Sequence, residues 1–180
     1  MEAAFKINEE YLSASRSEFF RWHQDNADLF VGIFDNSAKV GICYGMNWDR
    51  QPEYVVLEGI ATLHSHWRSG TGSLLIQFFE QQVKKRGKQR ITLGSAPDLK
   101  TENFYLKNGY APTQLCARLR SIDLPDDYER LGHAFCAVRQ DGETINLYVE
   151  TAIRDKQLQA KLKDDLGAQE VISIMEKDVT

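Results

Sequence analysis

The spacing of apolar and polar residues changes several times along the chain, and each change marks an element. Residues 9–26 carry Leu12, Phe19, Phe20 and Trp22 with no Gly or Pro between them, an incomplete stripe that predicts one helix. Residues 29–34 predict a strand, Asp35-Asn36-Ser37 a polar turn, and 39–46 a strand that folds back as a hairpin. After a loop holding Trp48, Asp49 and Pro52, residues 54–63 are apolar almost throughout, as a central strand is. In 73–86, Leu75, Phe79 and Val83 stand four apart, and Leu74, Ile76 and Phe78 widen that face into an amphipathic helix. Lys84, Lys85 and Arg86 suit its C-terminal dipole, and Gly87 suits a left-handed cap.

A short strand is expected at 90–93, a short helix at 100–108 closed by Gly109, and a long strand at 113–122. A polar connector, Asp123-Leu124-Pro125-Asp126-Asp127, follows. The rest is expected as strand 133–138, turn Asp141-Gly142, strand 145–149, helix 152–166 capped by Thr151 and Gly167, and strand 171–175. Strands interleaved with helices in this order predict an α/β fold built on a mixed sheet (α+β). The expected division is a core over 1–122 and a C-terminal strand-helix-strand extension over 123–180. That extension completes or caps the sheet, and a role for it as substrate lid, homodimer contact or structural cap is open.

A net charge of −4 argues against a nucleic-acid binder that works by neutralising phosphates. No apolar run approaches the roughly 20 residues that span a bilayer, so no membrane partner is expected. The N-terminus lacks a basic-then-apolar signal, which makes the cytoplasm the expected compartment. Cys43, Cys116 and Cys136 are an odd, scattered set in apolar, strand-like surroundings. They suit buried thiols rather than disulfides. His64 and His66 share one face but have no further ligands near them in sequence, so no metal is expected and both should be solvent-exposed loop residues.

Between the strand 54–63 and the helix 73–86 runs His66-Trp67-Arg68-Ser69-Gly70-Thr71-Gly72-Ser73. A strand, a Gly-rich turn with a basic residue and then a helix can hold a phosphate. The first N–H groups of the helix have no internal partner, and the dipole places partial positive charge there. Gly70 and Gly72 let the backbone approach a pyrophosphate closely. Arg68 can add a charge-assisted contact. A Walker-type nucleotide site is not supported, because the needed Lys does not accompany Gly72-Ser73.

This segment resembles the acyl-CoA-binding motif of the GNAT acyltransferase superfamily, Gln/Arg-x-x-Gly-x-Gly/Ala. Trp67 stands at the Gln/Arg position, Arg68 one place later, and Gly70 and Gly72 at the two small positions. About thirty residues on, the stretch ending Asn103-Phe104-Tyr105-Leu106-Lys107-Asn108-Gly109-Tyr110 is similar to the family's Asn-x-x-Ala-x-x-Phe-Tyr-x-x-x-Gly-Phe segment. Asp98 holds the first Asn position and Thr101 the Ala position. The resemblance implies a GNAT-like N-acyltransferase fold and transfer of an acetyl group from acetyl-CoA to a primary amine, by direct attack in a ternary complex. It implies that Thr62, Leu63, Trp67, Arg68, Ser69, Gly70, Thr71, Gly72 and Ser73, together with Asp98, Phe104 and Tyr105, contact the cofactor. The partner would be a small-molecule or peptide amine.

Transfer to an amine needs a base, because an alkyl ammonium with a pKa around 10 is not a nucleophile. It also needs donors for the oxyanion and an acid for the departing thiolate. The resemblance puts the Tyr105 hydroxyl near the CoA sulfur as that acid; the same residue also suits a core tyrosine. Glu58 is the one carboxylate within 54–63. Alternation places it with Val56, Ile60 and Thr62, and partial burial would raise its pKa toward that of a base. It equally suits a carboxylate facing a solvent-filled cleft or paired with a cation. Trp48 and Trp67 suit either a substrate pocket or ordinary packing. The rival reading is a non-catalytic CoA- or ligand-binding module on the same fold, against which the presence of Tyr105 and Glu58 weighs.

Overall fold

Ser15 divides the expected helix 9–26 in two. In the computed structural model, which describes residues 1–180, α1 spans Glu2–Tyr11 and α2 spans Arg16–Asp25. Leu12 is extended, and Ser15 caps α2 through a reciprocal pair: its Oγ accepts from the Glu18 N–H at 3.3 Å, and its own N–H donates to Glu18 Oε2 at 3.0 Å. A Ser followed three residues later by Glu is a helix-start signal strong enough to override the missing Gly or Pro.

The chain forms two compact units, Met1–Leu93 with Lys177–Thr180, and Gly94–Glu176. In the first, β1 (Phe30–Asp35), β2 (Ala38–Asn47) and β3 (Tyr54–Thr62) pair antiparallel in order. Helix α3 (Thr71–Lys85) then crosses over to β4 (Arg90–Ser95), which runs parallel to β3. One face of β2 and β3 carries Ile42, Tyr44 and Ala61, packed with Ala4, Phe5 and Ile7 of α1 and Phe19 of α2. The other face takes α3. A Cβ on Gly41 would lie 2.8 Å from Leu75, and one on Gly45 2.7 Å from the Phe79 ring, so these two glycines let the helix settle against the strand.

The β2–β3 register passes from Tyr44–Gly59 to Gly45–Leu57, which makes Glu58 the extra residue of a β-bulge on β3. Simple alternation therefore fails here. Leu57 stands opposite Gly45 and Ile60 opposite Cys43, so these two share a face although three residues apart. Val56 and Ile60, expected together, lie on opposite faces. The parallel ladder to β4 covers only Tyr54–Arg90, Val55–Ile91 and Val56–Thr92. Beyond it, β3 runs on from 57 to 62 with β2 on one side and no strand of this unit on the other.

In the second unit, β5 (Ala111–Arg120) pairs antiparallel with both β7 (Thr144–Glu150) and β8 (Glu170–Asp178), and β7 pairs with β6 (Phe135–Asp141). Leu115, Ala117, Leu119, Ile145, Leu147, Val149 and Val171 form one apolar face, covered by Leu162 and Leu166 of α5 (Lys156–Leu166). Helix α4 (Leu99–Lys107) lies on the same side, since its Glu102 reaches Ser173, which stands opposite Leu115. Helix α5 begins four residues later than expected and is capped by Asp155, whose carboxylate accepts from the Leu158 N–H at 2.8 Å; Thr151 caps nothing in it. Gly167 ends it in the left-handed conformation, as expected. Cys43 and Cys116 are buried, but Cys136 is exposed: it is the extra residue of a bulge on the outer strand β6. One parallel and several antiparallel strand pairs with five helices make a mixed α/β fold, as the pattern predicts.

Candidate functional site

The expected site residues of the first unit lie on one continuous strand-loop-helix. At the end of β3 the chain turns through His64–His66, a single 3-10 turn. Trp67 folds back, and its indole N–H donates to the Thr62 carbonyl at 3.0 Å. Its ring packs on His64 (4.5 Å between centroids) and Tyr11 (6.5 Å) while staying 53% exposed. His66 lies within ion-pair distance of Asp35 at 3.3 Å and bonds to Ser65. Both histidines are thus engaged locally, and no group of three or more His, Cys, Asp or Glu side chains is placed to hold a metal ion.

Arg68 and Gly70 both take positive φ, 61° and 89°. The Ser69 hydroxyl between them donates to the His66 carbonyl at 2.6 Å and lies 2.6 Å from the Thr71 hydroxyl, which closes the loop on itself. Gly70 is the N-cap of α3 and has no side chain to cap it, while the Thr71 N–H donates to the Ser69 hydroxyl at 3.4 Å. The first intrahelical bond runs from the Leu74 N–H to the Gly70 carbonyl at 3.0 Å. Nothing lies within 4 Å of where a Gly70 Cβ would stand. Between the bonded N–H groups of Thr71 and Leu74, those of residues 72 and 73 remain at the open, dipole-positive start of this 15-residue helix.

Leu63 and Thr62 are half-buried beneath this loop, and Glu58 on the bulge is exposed. That corrects the expectation of a partly buried carboxylate. Trp48, the other tryptophan with two readings, packs edge-on to Tyr54 at 5.6 Å.

Asp98, Phe104 and Tyr105 belong to the second unit. Asp98 is the N-cap of α4, its carboxylate accepting from the Lys100 and Thr101 N–H groups at 3.0 and 2.9 Å. Burial pushes its pKa up, but the bonds from Thr101 and Lys100 outweigh this and hold it below the usual range. Phe104 is half-buried and meets Tyr105 edge-on at 5.2 Å. Tyr105 is 7% exposed and also packs against Tyr110 at 5.8 Å. The bulge at Glu58 and the short β3–β4 ladder have no signature in the sequence, since both are matters of pairing between strands.

An open helix start after a central strand, a bulge in that strand and a ladder that stops short define a fold class as well as a surface. Residues 2–110 match the Acetyltransferase (GNAT) family, and the chain belongs to that family. Solved structures share the fold at low identity. Ard1 from Thermoplasma volcanium superposes with a TM-score of 0.57 at 16% identity, over 86% of this chain and 91% of that one. Diaminobutyrate acetyltransferase EctA from Paenibacillus lautus, in complex with L-2,4-diaminobutyric acid and coenzyme A, gives 0.55 at 14%, over 86% and 90%. The ribosomal-protein-S18-alanine N-acetyltransferase from Escherichia coli gives 0.52 at 14%, over 87% and 90%. No curated protein matches the chain in sequence. No helix is long and apolar enough to cross a membrane.

Proposed function

We propose that this chain is an N-acetyltransferase that moves an acetyl group from acetyl-CoA to a primary amine in a ternary complex. The observation that carries the reading is the start of α3 behind left-handed Gly70, which has no side chain to cap it, reached from a strand whose stretch 57–62 has no β4 partner. The N–H groups of residues 72 and 73 would hold the pyrophosphate, with Arg68 as an adjacent cation. The stretch 57–62 of β3 offers backbone donors and acceptors to the amides of the pantetheine arm, as a further strand would. An N–H on that side can donate to the oxyanion that forms when the amine attacks the thioester carbonyl.

In this reading the amine nitrogen bonds to the acetyl carbon, the C–S bond breaks, and the thiolate takes a proton from Tyr105. Glu58 takes the amine proton, directly or through water, or draws the cationic amine in. Its exposure suits either task. Residues 1–122 form the acyltransferase core, in keeping with the extent of the family match, and 123–180 the extension. The neighbours named above act on a small diamine acid and on a protein alanine, so the acceptor class proposed here spans small-molecule and peptide amines. The proposed compartment is the cytoplasm.

A thiol-release screen of amines with acetyl-CoA tests the activity, and Tyr105→Phe tests the acid. With a competent acceptor, Tyr105→Phe should lower kcat by about 10²–10⁴-fold and leave CoA affinity within a few-fold. Equal turnover by the mutant returns Tyr105 to a packing role. No CoA binding at all by the wild type sinks the whole reading.

A further inference from the structure

Glu102 is among the most buried charged residues of the chain, 1% exposed. It sits on α4, one turn before Tyr105. Its Oε1 accepts from Lys156 Nζ at 2.6 Å and from the Ser173 hydroxyl at 3.1 Å. Its Oε2, also buried, makes no hydrogen bond and has Arg154 Nε 3.9 Å away. The side-chain oxygen Oδ1 of the neighbouring Asn103 accepts from Arg154 Nη1 at 2.7 Å. Lys156 reaches on to Gln159 at 2.8 Å, and the Gln159 amide donates to the Val171 carbonyl.

Two adjacent residues of α4 are thus gripped by the turn that precedes α5. That turn exists because α5 starts at Lys156 rather than at 152. Had the helix begun earlier, residues 154 and 156 would lie on different sides of it, about 200° apart, and could not both point at α4. Asp155 between them caps α5. Three consecutive residues therefore fix the start of α5 and fasten α4 to it and to β8.

A buried ion pair is weak evidence for stability, because desolvation opposes the Coulomb gain. Its better-attested use is to fix one register among several. An apolar contact between α4 and α5 would allow the helix to slide or rotate. A carboxylate oxygen held by both Lys156 and Ser173 does not.

We propose that Glu102 is a positioning residue: clamped by Lys156, Ser173 and Arg154, it sets the rotation of α4 and thereby the place of the Tyr105 hydroxyl. This rests on the reading of Tyr105 as the acid, and it gives part of the C-terminal extension a task in the transfer step. Misplacing a reacting group by about 1 Å can cost about 10²-fold in rate.

The test is a double-mutant cycle on kcat, with Tyr105→Phe, Glu102→Gln and the pair, and thermal unfolding followed alongside. Glu102→Gln alone should lower kcat by about 10–100-fold with KM for acetyl-CoA within about threefold. In the Tyr105→Phe background it should change kcat by less than about twofold, because there is no hydroxyl left to place. Equal losses in both backgrounds overturn the proposal and make Glu102 merely structural. So does a lowered melting temperature with unchanged kcat. If Glu102→Gln does not fold, Arg154→Ala, at the more exposed end of the clamp, takes its place, with an expected loss of about threefold and the same cycle. Lys156→Arg should retain most of the rate by keeping a donor to Oε1. A Tyr105→Phe enzyme with full turnover would sink the acid reading itself, an outcome distinct from an additive cycle.

Discussion

Replacing Gly70 by Ala separates two effects that usually arrive together. Gly70 has φ 89° and ψ −7°, and a Cβ there would touch nothing within 4 Å. No packing clash contributes, so the cost to folding is the left-handed backbone alone, about 1–2 kcal/mol. For a chain of this length that lowers the melting temperature by roughly 2–8 °C. The effect on CoA should be larger. The new methyl enters the open space at the start of α3, where the pyrophosphate is proposed to lie. Losing one charge-assisted hydrogen bond costs about 1.5–3 kcal/mol, which is a Kd raised by roughly 10–100-fold. Calorimetric titration of CoA, well below the melting temperature, reads this directly. Gly87→Ala is the matched control: same helix, opposite end, φ 70°, and likewise nothing near its Cβ. It should show the same folding cost and unchanged CoA affinity. A Gly70→Ala variant that is folded and binds CoA within twofold of the wild type refutes the placement of the pyrophosphate. A fall in melting temperature well beyond 8 °C refutes the strain argument.

Three further expectations follow from named contacts. Glu58→Gln should reduce kcat/KM for the amine at neutral pH, with partial recovery at alkaline pH as free amine becomes available; parallel pH–rate profiles for mutant and wild type would remove Glu58 from proton transfer. Asp98→Ala should cost about 1 kcal/mol of stability through the lost cap, and Asp98→Ser should restore it; if Asp98→Ser nevertheless weakens CoA binding, Asp98 touches the cofactor as well as capping α4. In acid, the Arg86 guanidinium beside Asp28 holds that carboxyl below the usual range, so the unfolded chain takes up the proton first as pH falls. Stability from this pair is full above the ordinary Asp value of about 3.9 and is lost as pH drops through the lower folded value; Asp28→Asn should flatten the melting-temperature curve in that range, and an unchanged slope would show the pair contributes nothing.

Much of this protein is set by local signals in the chain. The amphipathic period of residues 73–86 produces α3 almost to the residue, because a wide apolar stripe needs no distant partner to declare itself. The glycine at 70, with a strand before it and a helix after it, announces an open helix start, since only the backbone of that segment is involved. Gly167 ends α5 for the same reason. The Ser15–Glu18 box is equally present in the sequence; the absence of Gly or Pro between 9 and 26 masks it.

What the sequence by itself left undecided depends on which strand lies beside which. Glu58 looks like a half-buried member of an alternating strand until β2 pairs with β3. The register shift between Tyr44 and Gly45 then makes it the extra residue of a bulge, exposed and out of phase with its neighbours. The ladder that stops at Val56–Thr92 is likewise a property of two strands and of neither alone. The start of α5 is decided in the same way. Thr151 is a capping residue by local chemistry, as Asp155 is, but Arg154 and Lys156 both pair with the Glu102 carboxylate, more than fifty residues earlier in the chain. A buried charge must be met by its partners, and that requirement, which exists only once α4 and α5 are packed, fixes where the helix begins.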